Sequence, residues 1–266
     1  MTRTFDLSLS DPLVPLDVLR ELAEHAKSLG REWVLVGAAA RDLVIHAPLL
    51  NNPVRATKDV DIAVGISMES DFDAFTHGFE PRRGGRHAFM HMGVELDIVP
   101  FGLIEEDGWV LFSDGHRLDV VGLQEAAETP DIVILEPDLH IPVAPAELQV
   151  VLKLLAWRDR HQDTGKDASD LREILAAASE GVYAEEAWED AAALEACDYM
   201  IDRAGAYHLG RIAAERFTLE RSQRIIDFFK TSELDRLRGQ LGGPTATEQL
   251  DAYRLGFERG RRLAGS

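Results

Sequence analysis

Three aspartates in two apolar segments carry the first chemical signal in this chain. Asp59 and Asp61 stand in Lys58-Asp59-Val60-Asp61-Ile62-Ala63-Val64, and Asp97 in Glu95-Leu96-Asp97-Ile98-Val99-Pro100. Side chains alternate faces along a strand, so Asp59 and Asp61 share one face while Val60, Ile62 and Val64 take the other. Gathering three acids costs repulsion unless a cation neutralises them. Carboxylate oxygens suit Mg2+, or Mn2+, bound together with water and substrate phosphate. Two carboxylates on one strand face can grip two such ions about 3.5–4 Å apart. A solvated strand face competes as an explanation for Asp59 and Asp61. Asp97 lies in an apolar strand, where an unpaired acid is costly. Glu95 shares its face, so a solvent-facing pair competes there.

Two further features point to phosphate. Gly37 ends the apolar run Trp33-Val34-Leu35-Val36 and precedes a helix. Free amides at a helix start, with the helix dipole, attract phosphate; a tight turn alone also explains such a glycine. Later, helical spacing puts Lys153, Trp157 and Arg160 on one face, beside a core stripe of Leu148, Val151, Leu152 and Leu155. That cationic face suits the β- and γ-phosphates of a triphosphate or departing pyrophosphate. An ion-pair network among Lys153, Arg160, Lys166, Asp167 and Asp170 is the alternative. The two are compatible, with Asp170 positioning Arg160. A basic segment with Arg82, Arg83, Arg86 and His87 suits an anionic acceptor, or is an exposed turn. His87 and His91 are four apart in a strand, which disfavours a histidine metal pair.

The elements that must position these residues follow from periodicity and turn signals. Helices are expected over 13–29, 38–46 and 68–77, and strands over 33–36, 60–64 and 132–135. Asn51-Asn52-Pro53 marks a loop over 49–57. Strands over 87–92 and 94–101 pair around Gly93. Asp107-Gly108 and Asp114-Gly115 are turn signals flanking Trp109-Val110-Leu111-Phe112, so this stretch reads as a meander. From Pro145, favoured at a helix start, helices are expected over 145–162, 166–178, 184–195, 199–216, 219–229, 232–240 and 245–263. The fold is therefore α/β or α+β with a mixed sheet over 1–144, followed by a helical domain over 145–266. Tyr199, Tyr207 and His208 in that domain read equally as core or contact.

Composition narrows the classes. The chain has 266 residues, 45% of them hydrophobic, which suits one or two globular domains. A single cysteine, Cys197, excludes an internal disulfide and a multi-cysteine zinc site. The N-terminus lacks a signal-peptide core and no apolar run spans a bilayer, so a cytoplasmic protein with no membrane partner is expected. The formal charge of −19, from 28 basic and 47 acidic residues, opposes non-specific nucleic-acid binding and favours a cationic substrate or basic partner. Solubility alone also explains it.

With these residues in view, a family resemblance emerges. Leu35-Val36-Gly37-Ala38-Ala39-Ala40-Arg41-Asp42-Leu43, then Arg55-Ala56-Thr57-Lys58-Asp59-Val60-Asp61-Ile62, resembles the polymerase-β-type nucleotidyltransferase superfamily. That group carries a glycine turn, a short helix, an acid–apolar–acid strand and a third acid on a later strand, where Asp97 stands. The Arg-x-Thr-x-Asp-x-Asp form, and Asp97-Ile98-Val99-Pro100-Phe101-Gly102, look like AbiEii-type enzymes and their bacterial relatives. Leu152 to Arg160, then Lys166-Asp167-Ala168-Ser169-Asp170-Leu171, is similar to the family's late lysine motif. The resemblance covers about residues 30 to 180. Many relatives carry serine or glycine where Ala38 stands; here only backbone amides remain.

The resemblance implies an α+β fold with a nucleotidyltransferase-type mixed sheet. It implies Mg2+- or Mn2+-dependent transfer of a nucleoside monophosphate from a nucleoside triphosphate to an acceptor hydroxyl. Asp59, Asp61 and Asp97 would hold metal; Gly37, Ala38, Arg41, Lys153 and Arg160 would bind nucleotide; Asp167 and Asp170 would support them. Arg82, Arg83 and Arg86 are the acceptor candidates. AbiEii-type proteins include toxins of toxin–antitoxin pairs, some modifying the acceptor end of tRNA, so RNA and an antitoxin partner are expectations. A cationic small molecule, as in aminoglycoside-modifying relatives, suits the charge better. A non-catalytic nucleotide-binding or interaction module is a further reading, favoured by Ala38. A phosphoacceptor domain fits poorly with a lysine helix following a β-meander.

Overall fold

The computed structural model describes residues 2–10, 14–50 and 59–264. The expected loop at Asn51-Asn52-Pro53, and the Arg55, Thr57 and Lys58 part of the motif, lie outside the described residues. The chain divides into two compact units, 1–145 and 146–266.

The first unit holds, in order, β1 (Thr4–Asp6), α1 (Leu16–Ser28), β2 (Trp33–Val36), α2 (Gly37–Arg41), a π-helical segment (Asp42–His46), β3 (Asp59–Gly65) and α3 (Glu69–Thr76). There follow β4 (Glu80–Pro81), β5 (Ala88–His91), β6 (Val94–Phe101), β7 (Trp109–Leu111), β8 (Arg117–Asp119), α4 (Leu123–Glu128), β9 (Asp131–Glu136) and β10 (Leu139–Val143). Eight of these strands form one mixed sheet, ordered β1-β9-β10-β2-β3-β6-β5-β4. The pairs β1–β9, β10–β2 and β3–β6 are parallel; the others are antiparallel.

Alternation explains the core. Val60, Ile62 and Val64 are fully buried, as are Leu96 and Ile98 on the next strand. A fully buried Val, Ile or Leu side chain stabilises by about 1.5–3 kcal/mol, so this period-two pattern pins the register; a slip by one residue would turn every acid inward. The β5–β6 turn has Met92 at φ 50° and Gly93 at φ 78°, the left-handed pair that a two-residue hairpin requires. The expected meander is instead a separate two-stranded sheet, β7–β8. The single helix expected over 38–46 is a short α-helix that widens into a π-helical turn.

The second unit is helical throughout its described residues: α5 (Ala146–Arg160), α6 (Lys166–Ala177), α7 (Gly181–Glu189), α8 (Ala191–Ala196), α9 (Ile201–Glu215), α10 (Leu219–Phe229), α11 (Glu233–Leu241) and α12 (Pro244–Ala264). One helix was expected over 184–195. The chain breaks there because the Asp190 side chain accepts from Ala193 N–H and caps a new helix. Helices α9 and α12 pack backbone to backbone: a Cβ on Gly210 would meet the Tyr253 carbonyl oxygen at 2.0 Å, and one on Gly256 the Tyr207 oxygen at 2.0 Å. Tyr207 and His208 belong to this unit's interior, whereas Tyr199 is exposed.

Candidate functional site

The parallel register of β3 and β6 sets Asp59 opposite Glu95 and Asp61 opposite Asp97. Directly paired residues on neighbouring strands share a sheet face, so four acids stand together on two adjacent strands. On the other side of β3, antiparallel β2 pairs Val36 with Asp61, which delivers the next residue, Gly37, to the same spot. Gly37 has φ +72°, and a Cβ there would lie 1.9 Å from Asp61 Oδ2. A side chain at 37 is excluded twice, by backbone conformation and by the Asp61 carboxylate. Asp97 is thus on the strand beside Asp61, not across the sheet.

One arginine meets two of these acids. Arg82 Nη2 donates to Asp97 Oδ1 at 2.6 Å and lies 3.7 Å from Glu95 Oε2. Asp59 is exposed. The Asp97 carboxyl is held above the ordinary carboxylate value: burial raises it, His87 and Arg82 pull it down, and Asp59 and Glu95 push it up again. Among the described residues no three His, Cys, Asp or Glu side chains close around one point as a metal cluster would. The donor set still fits a hard divalent cation. It is all carboxylate oxygen, it lies beside a residue with no side chain, and it already draws a guanidinium.

Beside Asp97 sits a histidine pair that spacing did not reveal. His87 Nδ1 is 3.2 Å from His116 Nε2, and the rings stack. Burial, followed by the His116 and Arg82 charges against that of Asp97, leaves the His87 imidazole below its usual range. His91 instead meets Glu21 at 2.7 Å. The only sequence signal for His116 is the Asp114-Gly115 turn, whose Asp114 side chain accepts from His116 N–H.

The remaining expected residues are placed as follows. Ala38 is half-buried. Arg41 is 2% exposed, with Nε and Nη2 donating to Asp42 Oδ1. Its guanidinium is part of the interior, and a nucleotide contact from Arg41 would have to disturb that packing. Arg82, Arg83 and Arg86 lie together on the segment preceding β5, where Arg86 is held by Glu69 at 3.0 Å and Asp73 at 2.7 Å.

Within the helical unit, Lys153 Nζ donates to Asp170 Oδ2 at 2.6 Å and to Asp167 Oδ1 at 3.4 Å. Arg160 grips Asp167 with two bonds, Nε to Oδ2 at 2.7 Å and Nη2 to Oδ1 at 2.8 Å. The partner gripped in this way is Asp167, rather than the expected Asp170. Burial raises the Asp167 carboxyl, yet Arg160 and Lys153 outweigh it and the net shift is downward. Trp157 is not on a cationic face: it is fully buried and donates from Nε1 to Gln240 Oε1 at 2.7 Å. Leu152, expected in the core stripe, is half-buried.

No protein-family model matches the chain, and no curated protein matches it. No helix among the described residues is long and apolar enough to cross a membrane.

Proposed function

We propose that the first unit is a nucleotidyltransferase of the polymerase-β type, moving a nucleoside monophosphate from a nucleoside triphosphate to an acceptor hydroxyl. The observation that carries this reading is the acid face beside Gly37, with Asp61 paired to Asp97 and Asp59 one pleat away. Asp59, Asp61 and Asp97 would hold Mg2+ or Mn2+. When bound, such ions supply charge neutralisation at the triphosphate and a lowered pKa for the acceptor hydroxyl. Gly37 keeps the approach to Asp61 clear of side-chain atoms. Asp97 would lie beside the acceptor hydroxyl and could take its proton as the acceptor oxygen bonds to the α-phosphorus and pyrophosphate departs. His87 and Arg82 act on that carboxyl against the burial that raises it.

The acceptor is an RNA end or a small molecule, and a toxin-type enzyme with an antitoxin partner belongs to the first case. A second reading, a nucleotide-binding module without turnover, is favoured by the Arg82–Asp97 ion pair, which occupies the third acid. Incubation with α-labelled nucleoside triphosphates and Mg2+, against total RNA and a panel of aminoglycosides, tests both. Label transfer that is lost in Asp59→Asn and Asp61→Asn supports the enzyme. Transfer undiminished in both variants removes it, and nucleotide binding without transfer supports the module.

A further inference from the structure

A cavity of about 590 Å³ opens beside the segment carrying Arg82, Arg83 and Arg86, a volume typical of small-molecule pockets. The three arginines line it with Phe79 and His116, and with Asp73 and Asp114 on the acidic side. These guanidiniums are not equally committed. Arg86 is held by Glu69 and Asp73 and lies over the Phe112 ring at 5.3 Å. Arg83 is exposed and meets no carboxylate among the described residues. Arg82 is held by Asp97, itself one of the three acids argued above to take a cation.

That shared partner couples the two sites. A carboxylate whose oxygens and charge are taken by a divalent ion no longer holds a guanidinium at 2.6 Å. Little else anchors Arg82: Glu95 is 3.7 Å away, Nη1 reaches the Arg83 carbonyl at 3.3 Å, and Nε is buried with no hydrogen-bond partner among the described residues. We propose that this cavity binds the phosphate end of a small acceptor, and that a divalent cation at Asp97 completes it by releasing Arg82 to join Arg83. The proposal rests on the metal reading of the acid face. Paired guanidiniums recognise a phosphate with several donors at once, and Phe79 and His116 add ring surface to the lining of the cavity. The cavity volume favours a small monoester over a polyanion.

Two titrations test this on the full chain. Mn2+ binding is followed by the spin resonance of the free ion, and phenyl phosphate binding by calorimetry with and without Mn2+. Wild type, Arg82→Gln, Arg82→Lys and Arg83→Gln are compared, with folding checked by circular dichroism. Arg82→Gln should bind Mn2+ about tenfold more tightly, because its internal competitor is gone. Phenyl phosphate should bind wild type about tenfold more tightly with Mn2+ present, and this gain should vanish in Arg82→Gln and Arg83→Gln. Arg82→Lys, which keeps the charge, should retain part of it.

Mn2+ bound by wild type but no tighter in Arg82→Gln overturns the release of Arg82 and leaves the metal reading standing. No Mn2+ bound by either overturns the metal reading, and this inference with it. A gain undiminished in Arg83→Gln means that metal alone holds the phosphate, and the cavity is not its pocket. A short single-stranded RNA that outcompetes phenyl phosphate overturns the small-molecule occupant.

Discussion

Two aspartates, one in each unit, show opposite electrostatics. Asp167 is fully buried, yet Arg160 and Lys153 together hold its carboxyl below the usual range. Asp97 is less buried, yet burial, with Asp59 and Glu95 adding to it, outweighs His87 and the Arg82 guanidinium at 2.6 Å, and its carboxyl is raised. The first cluster balances its charges internally, which is how a buried ion pair supports a helix packing. The second is an acid face on two paired strands, where burial and two neighbouring carboxylates outweigh the cations beside Asp97. The contrast marks one group as architecture and the other as a candidate site.

The largest effect that would test this contrast is catalytic. Asp97→Asn should lower nucleotide transfer by at least about a hundredfold while changing stability by less than about 1 kcal/mol, read by rate assay and urea unfolding. Equal losses of both would make Asp97 structural. Asp167→Ala should do the reverse to stability, costing about 3 kcal/mol in urea, because it removes the buried carboxylate that Arg160 and Lys153 both bond. A cost below about 0.5 kcal/mol would show that pair to be idle. Gly37→Ala comes next, at about 1–3 kcal/mol from its left-handed backbone alone, with Asp61 displaced as well.

The pH response should separate the two aspartates with opposite signs. Asp167 has a lowered folded pKa, so its contribution is present above the ordinary value of 3.8 and fades as pH falls through the folded value. The deficit of Asp167→Asn should therefore shrink in acid. Asp97 has a raised folded pKa, so stability is lost as pH climbs from 3.8 through the folded value. Asp97→Asn should gain on wild type over that window. Unfolding curves at a series of pH values read both, and gaps that move in the same direction would refute the assignment. The smallest effect is Arg160→Gln, whose side chain is 55% exposed and which should cost about 0.5 kcal/mol.

Much of this was legible in the residue order, for identifiable reasons. Acid–apolar–acid at 59–61 required a shared face, and apolar Val60, Ile62 and Val64 left one orientation for it. Gly93 marked the β5–β6 turn, and long 3.6-residue periods marked the helical half. Strand β1 is only three residues long, too short for periodicity. Strand β10 was missed although Pro137-Asp138 is a turn signal and Leu139, Ile141 and Val143 alternate as buried positions. The Arg82–Asp97 pair is out of reach of the sequence, since the basic segment reads as an acceptor site or an exposed turn and the partner lies 15 positions away. Arg41 looked available beside Gly37, but helical packing turned it inward. Trp157 followed the same logic: its spacing matched Lys153, while its size sent it to the core.

The central claim is that Asp59, Asp61 and Asp97 are one divalent-cation site. Anomalous diffraction from crystals grown with Mn2+ and a non-hydrolysable nucleoside triphosphate reads it directly. The expected result is Mn2+ within ligand distance of Asp59, Asp61 and Asp97, with Arg82 moved off the Asp97 carboxylate. A Mn2+-bound nucleotide placed elsewhere on the chain, with Arg82 still seated on Asp97, would contradict it.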